Sequence, residues 1–244
     1  MSIDTLVNDT EKDIVARLEK LKTDLKTSAP TPTPTTNVLL EDTFTTPYVL
    51  TGGQTSADGK WKCIWTGGGK VESVNGVIRM YPQTSTASDG KETHSCLVLS
   101  TQQFTNFQLE FNMKTVKQLR QNFPVKNWET AWIMFRYFDA IHHYYFTLKN
   151  NGCEFGKKDN VEGDPALEKQ IFMQTVTQKS VAIGVSNKVI VTAKDFHITI
   201  TVDGTKVLDY TDTPQNPTKM AKGSIGLYSE DATVEFDNIK VTPL

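Results

Sequence analysis

The sequence predicts an all-β fold preceded by one N-terminal α-helix. Apolar and polar residues alternate from 107 to 114 (FQLEFNMK) and from 196 to 202 (FHITITV), which is the pattern of half-buried antiparallel strands. A heptad of apolar residues occurs only before residue 30, so we expect helix there and strands elsewhere. Glycine-containing turns separate the strand-like segments, as at Asn75-Gly76, Asn151-Gly152 and Asp203-Gly204.

Residues 1–29 are predicted to form a helical arm for anchoring or oligomerisation. A single helix with one narrow apolar stripe is marginal in water, so we expect it to pair with itself or to dock on a larger assembly. Packing back on the protein's own β-domain is the alternative. The seam consists of Val7, Ile14, Leu18, Leu21 and Leu25.

Residues 30–37 (PTPTPTTN) are predicted to form a linker between the arm and a β-domain of residues 38–244. Proline fixes its own backbone angle and lacks an amide donor, so the alternation of Pro and Thr favours an extended, semi-rigid spacer. We therefore expect the linker to hold the β-domain away from its anchor.

Composition excludes several classes of function. The formal net charge of −2 provides no basic field for nucleic acid, and no run of about 18 apolar residues is present to span a membrane. The first 20 residues have acids where a signal peptide has its positive region, so we expect cytoplasmic synthesis without such a signal, and exit by lysis or on a particle. Three cysteines without C-x-x-C spacing are expected to be buried and without chemistry.

The stretch from 129 to 157 (ETAWIMFRYFDAIHHYYFTLKNNGCEFGK) is the strongest candidate for a binding surface. Strand alternation places Trp132 and Arg136 on one side of the first strand, and it places every second residue from 143 to 149 on one side of the next strand. Rings mixed with charges make a poor core but suit saccharides, which present apolar C–H faces and many hydroxyls. The candidate ligand-binding residues are Trp128, Glu129, Trp132, Arg136, His143, Tyr145 and Lys149.

Several segments resemble one known family. The segments AWIMFRYFDAIHHYYFTLKNNG, DFHITITVDGTKVLDY and KGSIGLYSEDATVEFDNIKV are similar to the concanavalin A-like lectin and glucanase superfamily, and within it to the laminin-G-like or 3-keto-disaccharide hydrolase-like domains. LLEDTF and VEFDNIKV resemble that group's paired first and last strands, so the resemblance covers residues 38–244. It implies an antiparallel β-sandwich of the jelly-roll type. It implies no single activity, because the superfamily contains lectins, glycanases, lyases and adhesive modules.

The resemblance also implies a structural Ca²⁺ ion. Members of the superfamily often hold calcium between the first and last strands, and Glu41, Asp42 and Asp237 lie in the segments expected to be neighbours there. A carboxylate that is only solvated or hydrogen-bonded at a strand end is the alternative.

Catalysis is less well supported than binding. Laminarinase-like members carry Glu-x-Asp-x-x-Glu on one strand, and no such run occurs in this chain. His142 and His143 are adjacent in a strand, so they point to opposite faces and cannot both serve one site. The sequence therefore favours a carbohydrate-binding, lectin-like module.

We hypothesise that this module is carried on the helical arm as an adhesion or decoration protein of a phage-like virion. A glycoside-acting hydrolase or lyase is the alternative function. A purely structural sandwich is a third.

Overall fold

The computed structural model describes residues 12–22, 37–160 and 169–244, and it divides the chain into two compact units, residues 1–36 and 37–244. In the first unit, residues 12–22 form helix α1, on which Ile14, Leu18 and Leu21 are each more than half exposed. Val7 and Leu25 of the predicted seam lie outside the described residues. None of the helices in the described ranges has the length and apolar character needed to span a bilayer.

The second unit is built from strands and one short helix. In chain order these are β1 (Leu40–Asp42), β2 (Tyr48–Leu50), β3 (Trp61–Trp65), β4 (Lys70–Val74), β5 (Val77–Tyr81), β6 (Ser95–Phe104), β7 (Phe107–Gln118), β8 (Ala131–Asp139), β9 (His142–Lys149), β10 (Gly152–Asp159), β11 (Ile171–Val176), β12 (Asn187–Lys194), β13 (His197–Val202), β14 (Thr205–Thr211), α2 (Pro217–Met220), β15 (Gly223–Glu230) and β16 (Ala232–Pro243).

The strands pair into two antiparallel sheets that form a sandwich. Among the described residues, one sheet has nine strands in the order β14-β13-β12-β7-β16-β5-β4-β2, with β1 paired to β16. The other has seven strands in the order β11-β10-β9-β8-β15-β6-β3. The predicted all-β antiparallel sandwich is therefore confirmed, and the two alternating segments of the sequence lie in β7 and β13.

The sandwich interior is filled by every second side chain of the central strands. Phe107, Leu109 and Phe111 of β7 face this core from the nine-stranded sheet. From the seven-stranded sheet, the ring of Phe135 stacks on Tyr144 with centroids 5.5 Å apart. Cys63, Cys96 and Cys153 are buried in the same core, and burial raises the pKa of the Cys63 and Cys153 thiols to about 11.

A second apolar cluster lies on the opposite face of the seven-stranded sheet, which we call the outer face. Strand alternation turns the remaining residues of β8 and β9 away from the core, so that both faces of this sheet are covered. The buried members of the outer-face cluster are Leu97, Trp132, Met134, Tyr137 and Tyr145. The seven-stranded sheet therefore carries aromatic rings on both faces, one set in the sandwich core and the other on the outer face.

Candidate functional site

Two adjoining cavities open on the outer face, and together we call them the outer-face groove. The first has a volume of about 240 Å³ and the second of about 340 Å³, and they share the side chains of Trp132, Gln170 and Glu230. The first is also lined by Trp65, Leu97, Met134, Tyr137, Ala140, His143, Tyr145, Lys158 and Tyr228, and the second by Thr93, Trp128, Glu154 and Phe172.

Sheet register aligns the rings of this groove across the strands. Trp132 of β8 is opposite Tyr228 of β15, and beyond it Leu97 of β6 is opposite Trp65 of β3. The ring centroids of Trp132 and Tyr228 are 6.0 Å apart, and those of Trp132 and Tyr145 are 5.0 Å apart. These residues come from strands far apart in sequence, so only the sheet brings them together.

Gly156 makes room for one of these rings. A Cβ atom at this position would lie 2.2 Å from the hydroxyl oxygen of Tyr145, which is the residue opposite it on β9. Phe172 of β11 is opposite Gly156 on the other side and is 65% exposed. The glycine therefore allows Tyr145 to lie across β10 beneath an exposed phenylalanine ring.

Polar groups of β9 and β10 form a compact network beside the rings. The Lys149 ammonium donates to the Glu154 carboxylate at 2.6 Å, and the Tyr145 hydroxyl donates to the same carboxylate at 3.3 Å. Burial, and then the charge of Glu154, raises the pKa of the Tyr145 hydroxyl far above its ordinary value. Tyr145 therefore stays protonated, as a donor.

His143 is a neutral acceptor on the floor of the groove. Its ring stacks on Tyr137 with centroids 5.1 Å apart, and Nδ1 lies 3.2 Å from the backbone carbonyl oxygen of Asp139. Nδ1–H donates to that carbonyl, which leaves the Nε2 lone pair free. Burial is the main cause that lowers the pKa of His143 to about 4.

Glu230 is a partly buried carboxyl shared by both cavities. It accepts a short hydrogen bond from the Tyr228 hydroxyl. Burial raises the pKa of the Glu230 carboxyl, and the neighbouring charges of Asp231 and Glu129 act in the same direction. Glu230 and Glu154 line the second cavity together, although they are distant in sequence.

Arg136 does not lie on this face, which corrects the placement expected from alternation. The pairing of β8 shifts register between Phe135 and Asp139, and Arg136 takes a left-handed conformation with φ of 48°. Its guanidinium is fully buried and donates to the carbonyl oxygen of Thr105 at 2.8 and 3.0 Å. Tyr137 takes the position on the groove that simple alternation gives to Arg136.

Glu129 also lies away from the groove surface, in a buried ion cluster. Arg120 Nε is 2.5 Å from a Glu129 carboxylate oxygen, its Nη2 is 2.6 Å from Asp231, and its Nη1 is 3.1 Å from the Ser85 hydroxyl oxygen. Both ion pairs are closed to solvent. The cluster joins the loops before β6 and β8 to the turn after β15. The groove residues Trp128 and Glu230 are next to Glu129 and Asp231 in the chain, and the groove residue Thr93 lies in the loop before β6.

A family model described as a 3-keto-alpha-glucoside-1,2-lyase-like domain matches residues 49–242. The chain belongs to this 3-keto-α-glucoside-1,2-lyase-like family. No curated protein sequence gave a significant match. The family assignment covers most of the sandwich and all the strands that line the groove.

Solved structures with the same fold include both binding modules and enzymes. The carbohydrate-binding module CBM66 from Bacillus subtilis matches with a TM-score of 0.50 at 15% identity, covering 80% of this chain and 94% of that one. SCLam, a non-specific endo-β-1,3(4)-glucanase of family GH16, matches with a TM-score of 0.54 at 12% identity, covering 87% and 93%. An endo-β-1,3-glucanase from Pyrococcus furiosus matches with a TM-score of 0.52 at 13% identity, covering 84% and 94%. At these identities the likeness establishes the jelly-roll fold.

The fold brings the three residues of the predicted calcium site only partly together. Glu41 points away from Asp42 and pairs with Lys240, with 3.6 Å between the charged atoms. Both carboxylate oxygens of Asp42 already accept hydrogen bonds, from the Phe44 amide and the Trp61 indole, each at 2.8 Å. In the described ranges, no three acidic, histidine or cysteine side chains gather as metal ligands.

Asp42 and Asp237 do lie close to each other. Burial, together with the charge of Asp42, raises the pKa of Asp237. Glu41 does not fit the predicted ligand set, and calcium at the other two carboxylates stays a prediction.

Several residues of the groove escaped the sequence reasoning. Tyr228, Glu230, Lys158 and Glu154 are not among the candidates that the sequence indicates. Alternation in the segment GLYSE (226–230) carries a usable signal, because it places Tyr228 and Glu230 on one face. The partner strand of this segment could not be read from the sequence.

We expect Arg120→Met to reduce the free energy of unfolding by about 3–5 kcal/mol, because Glu129 and Asp231 would stay buried without their counter-charge. Equilibrium urea unfolding measures the loss. Arg79→Met is the matched control, since it removes an ion pair to Glu235 in which the arginine side chain is 36% exposed, and it should cost less than about 1 kcal/mol. Equal losses in the two variants would contradict the role given to the Arg120 cluster.

Stability should fall as the pH decreases from 6.5 to about 4 because of His143. In this window the unfolded chain binds a proton that the folded state, with its lowered pKa, does not, so up to about 3 kcal/mol of unfolding free energy is lost. Urea unfolding across this range should show a shallower pH dependence in His143→Gln than in the wild type. An unchanged slope in His143→Gln would refute the assignment.

Proposed function

We propose that the outer-face groove binds an oligosaccharide laid across the strands of the seven-stranded sheet. The observation that carries this proposal is a band of rings from five strands, in two adjacent cross-strand rows, that extends from Phe172 on edge strand β11 to Trp65 on edge strand β3. These two strands are six intervals apart, which corresponds to roughly 29 Å at about 4.8 Å per strand. An elongated ligand of modest width suits such a band.

The exposure of the two end rings supports this proposal. Phe172 is 65% exposed and Trp65 is 39% exposed, although large apolar side chains at a sheet edge are costly in water. Pyranose rings have apolar C–H faces that stack on such side chains. Between the two ends, the rings of Tyr145, Trp132 and Tyr228 form a continuous floor.

The polar groups of the groove suit hydrogen bonds to sugar hydroxyls. His143 offers an acceptor that is neutral at physiological pH, and Glu154 and Glu230 offer carboxyl oxygens. Several of these groups are already held in place by protein partners, such as Lys149 for Glu154 and Tyr228 for Glu230. Fixed polar groups beside rings give orientation and specificity to a binding site.

Binding without turnover is the reading that the chemistry favours. A histidine with a pKa of about 4 is a weak general base at neutral pH. The Lys149 ammonium neutralises the charge of Glu154. A carboxylate that only orients a ligand can be paired in this way.

A glycoside-acting enzyme is the second candidate. It is favoured by Glu230, whose raised pKa suits a general acid, and by the presence of Glu154 in the same cavity.

Phe172→Ala and Trp65→Ala should each weaken oligosaccharide binding by about tenfold or more, because each ring loses roughly 1.5 kcal/mol of apolar contact. Isothermal titration calorimetry with a panel of oligosaccharides measures this, and the melting temperature of Phe172→Ala should stay unchanged because that ring is 65% exposed. Phe138→Ala is the matched control, since this ring is half-exposed but does not line the groove. Release of reducing ends or unsaturated products that disappears in Glu230→Gln would select the enzyme instead, and failure of every saccharide to bind would reject the site.

We further propose that α1 associates with copies of itself and displays the sandwich on a larger assembly such as a particle surface. The apolar side chains of Ile14, Leu18 and Leu21 lie at heptad spacing and are more than half exposed, so a second apolar helix would remove them from water. Several binding domains on one assembly would also raise the avidity for a repetitive glycan.

Deleting residues 1–29 should give a smaller species by analytical ultracentrifugation, with single-site affinity unchanged. Ile14→Asp combined with Leu21→Asp should reproduce this, because two charges would have to be buried unpaired at the seam. The matched control is Lys12→Asp with Lys20→Asp, which changes charge on α1 away from the seam. A truncated chain that loses tens of degrees of melting temperature would contradict the proposal, because the arm would then stabilise its own sandwich.

A further inference from the structure

One lysine at the edge of the outer-face groove has no counter-charge in the part of the chain that the structure describes. Lys158 of β10 is half-buried, lines the first cavity and is opposite His143 on β9. Among the described residues it has no ion-pair or hydrogen-bond partner, in contrast to two nearby lysines. Lys149 lies 2.6 Å from Glu154, and Lys157 lies 3.0 Å or less from both Asp159 and Asp212.

Within the described ranges, the groups around Lys158 form no ion pair with it. His143 is neutral at physiological pH, and its Nδ1–H is used by the backbone carbonyl of Asp139. The Asp139 carboxylate, the nearest acid on β8, accepts from the ring of His142 at 2.8 Å and from the Ile141 amide at 2.9 Å. Among the described residues, the Lys158 ammonium therefore has the neutral ring of His143 beside it and no ion-pair partner.

The carboxylates of the groove lie toward its other end. Glu154 is opposite Thr147 and reaches Lys149, whereas Lys158 is opposite His143. His143 and Lys149 are six residues apart on β9, which corresponds to roughly 20 Å at 3.3 Å per residue. The groove is thus positive at the His143 end and negative at the end that holds Glu230, whose carboxyl group accepts a hydrogen bond from the Tyr228 hydroxyl.

We propose that the saccharide bound in this groove is acidic, with a carboxylate or sulfate group that lies against Lys158. The inference rests on the proposed function of the groove and adds the chemical class of its ligand. A half-buried ammonium beside a neutral acceptor binds an anion more strongly than it binds a hydroxyl, because the charge-assisted bond forms where water is partly excluded. The carboxylates at the other end repel the same anion, so the acidic group lies on the His143 side of a chain that crosses the strands.

Matched neutral and acidic oligosaccharides test the proposal with the full-length protein. Suitable pairs are oligogalacturonate with its methyl ester, glucuronan with glucan, and mannuronan with mannan, with a sulfated galactan and its desulfated form as the sulfate arm. We expect the acidic member of the bound pair to bind about tenfold more tightly by calorimetry, as one charge-assisted hydrogen bond allows. Raising NaCl from 50 to 500 mM should remove most of this preference.

Lys158→Met should abolish the preference for the acidic member and its salt dependence. Lys117→Met is the matched control, since Lys117 is an exposed lysine on β7 of the other sheet, and it should keep both. A neutral saccharide that binds as tightly as its acidic counterpart, or a preference that survives in Lys158→Met, would overturn this inference and leave the proposed function intact. If no saccharide of either kind binds, the proposed function itself fails. Binding of only the sulfated or only the carboxylated series identifies the anionic group.

Discussion

The antiparallel pairing of β8 with β9 is the constraint on which both the core and the groove depend. Trp132 is opposite Thr147 and Met134 is opposite Tyr145, so these side chains share the outer face, while Phe135 and Tyr144 share the core. A slip of one residue would exchange the two sets and would send lysines into the sandwich interior. The same register that turns the phenylalanines into the core therefore turns the rings of the candidate site to the outer face.

Two buried ion clusters hold the ends of these strands. Arg120 with Glu129 and Asp231 lies beside the start of β8, and Lys157 with Asp159 and Asp212 lies beside the start of β9. Buried ion pairs contribute little net stability, but they are costly to break, so they favour one arrangement of the loops over others. Because Trp128 and Glu230 are direct neighbours of the first cluster in the chain, that cluster also fixes one wall of the groove.

The family and the groove give different kinds of information about function. Membership of the 3-keto-α-glucoside-1,2-lyase-like family establishes a fold that serves both binding modules and glycanases. The choice between these functions depends on particular side chains. In this chain the histidine of the groove has a low pKa and one carboxylate is neutralised by a lysine, and both features suit recognition better than proton transfer.

The sequence by itself determined the fold class and the family, and it indicated the strand face on which several candidate residues lie. Period-two alternation is a local property, so β7, β13 and the outward direction of Trp132, His143, Tyr145 and Lys149 could all be predicted from it. Tertiary structure alone decided where Arg136 and Glu129 lie, because β8 shifts register after Phe135 and because Arg120, earlier in the same loop, draws Glu129 into a buried ion cluster with Asp231. It also decided that Tyr228, Glu230 and Lys158 join the groove, since pairing between strands that are distant in sequence leaves no trace in the local pattern of either strand.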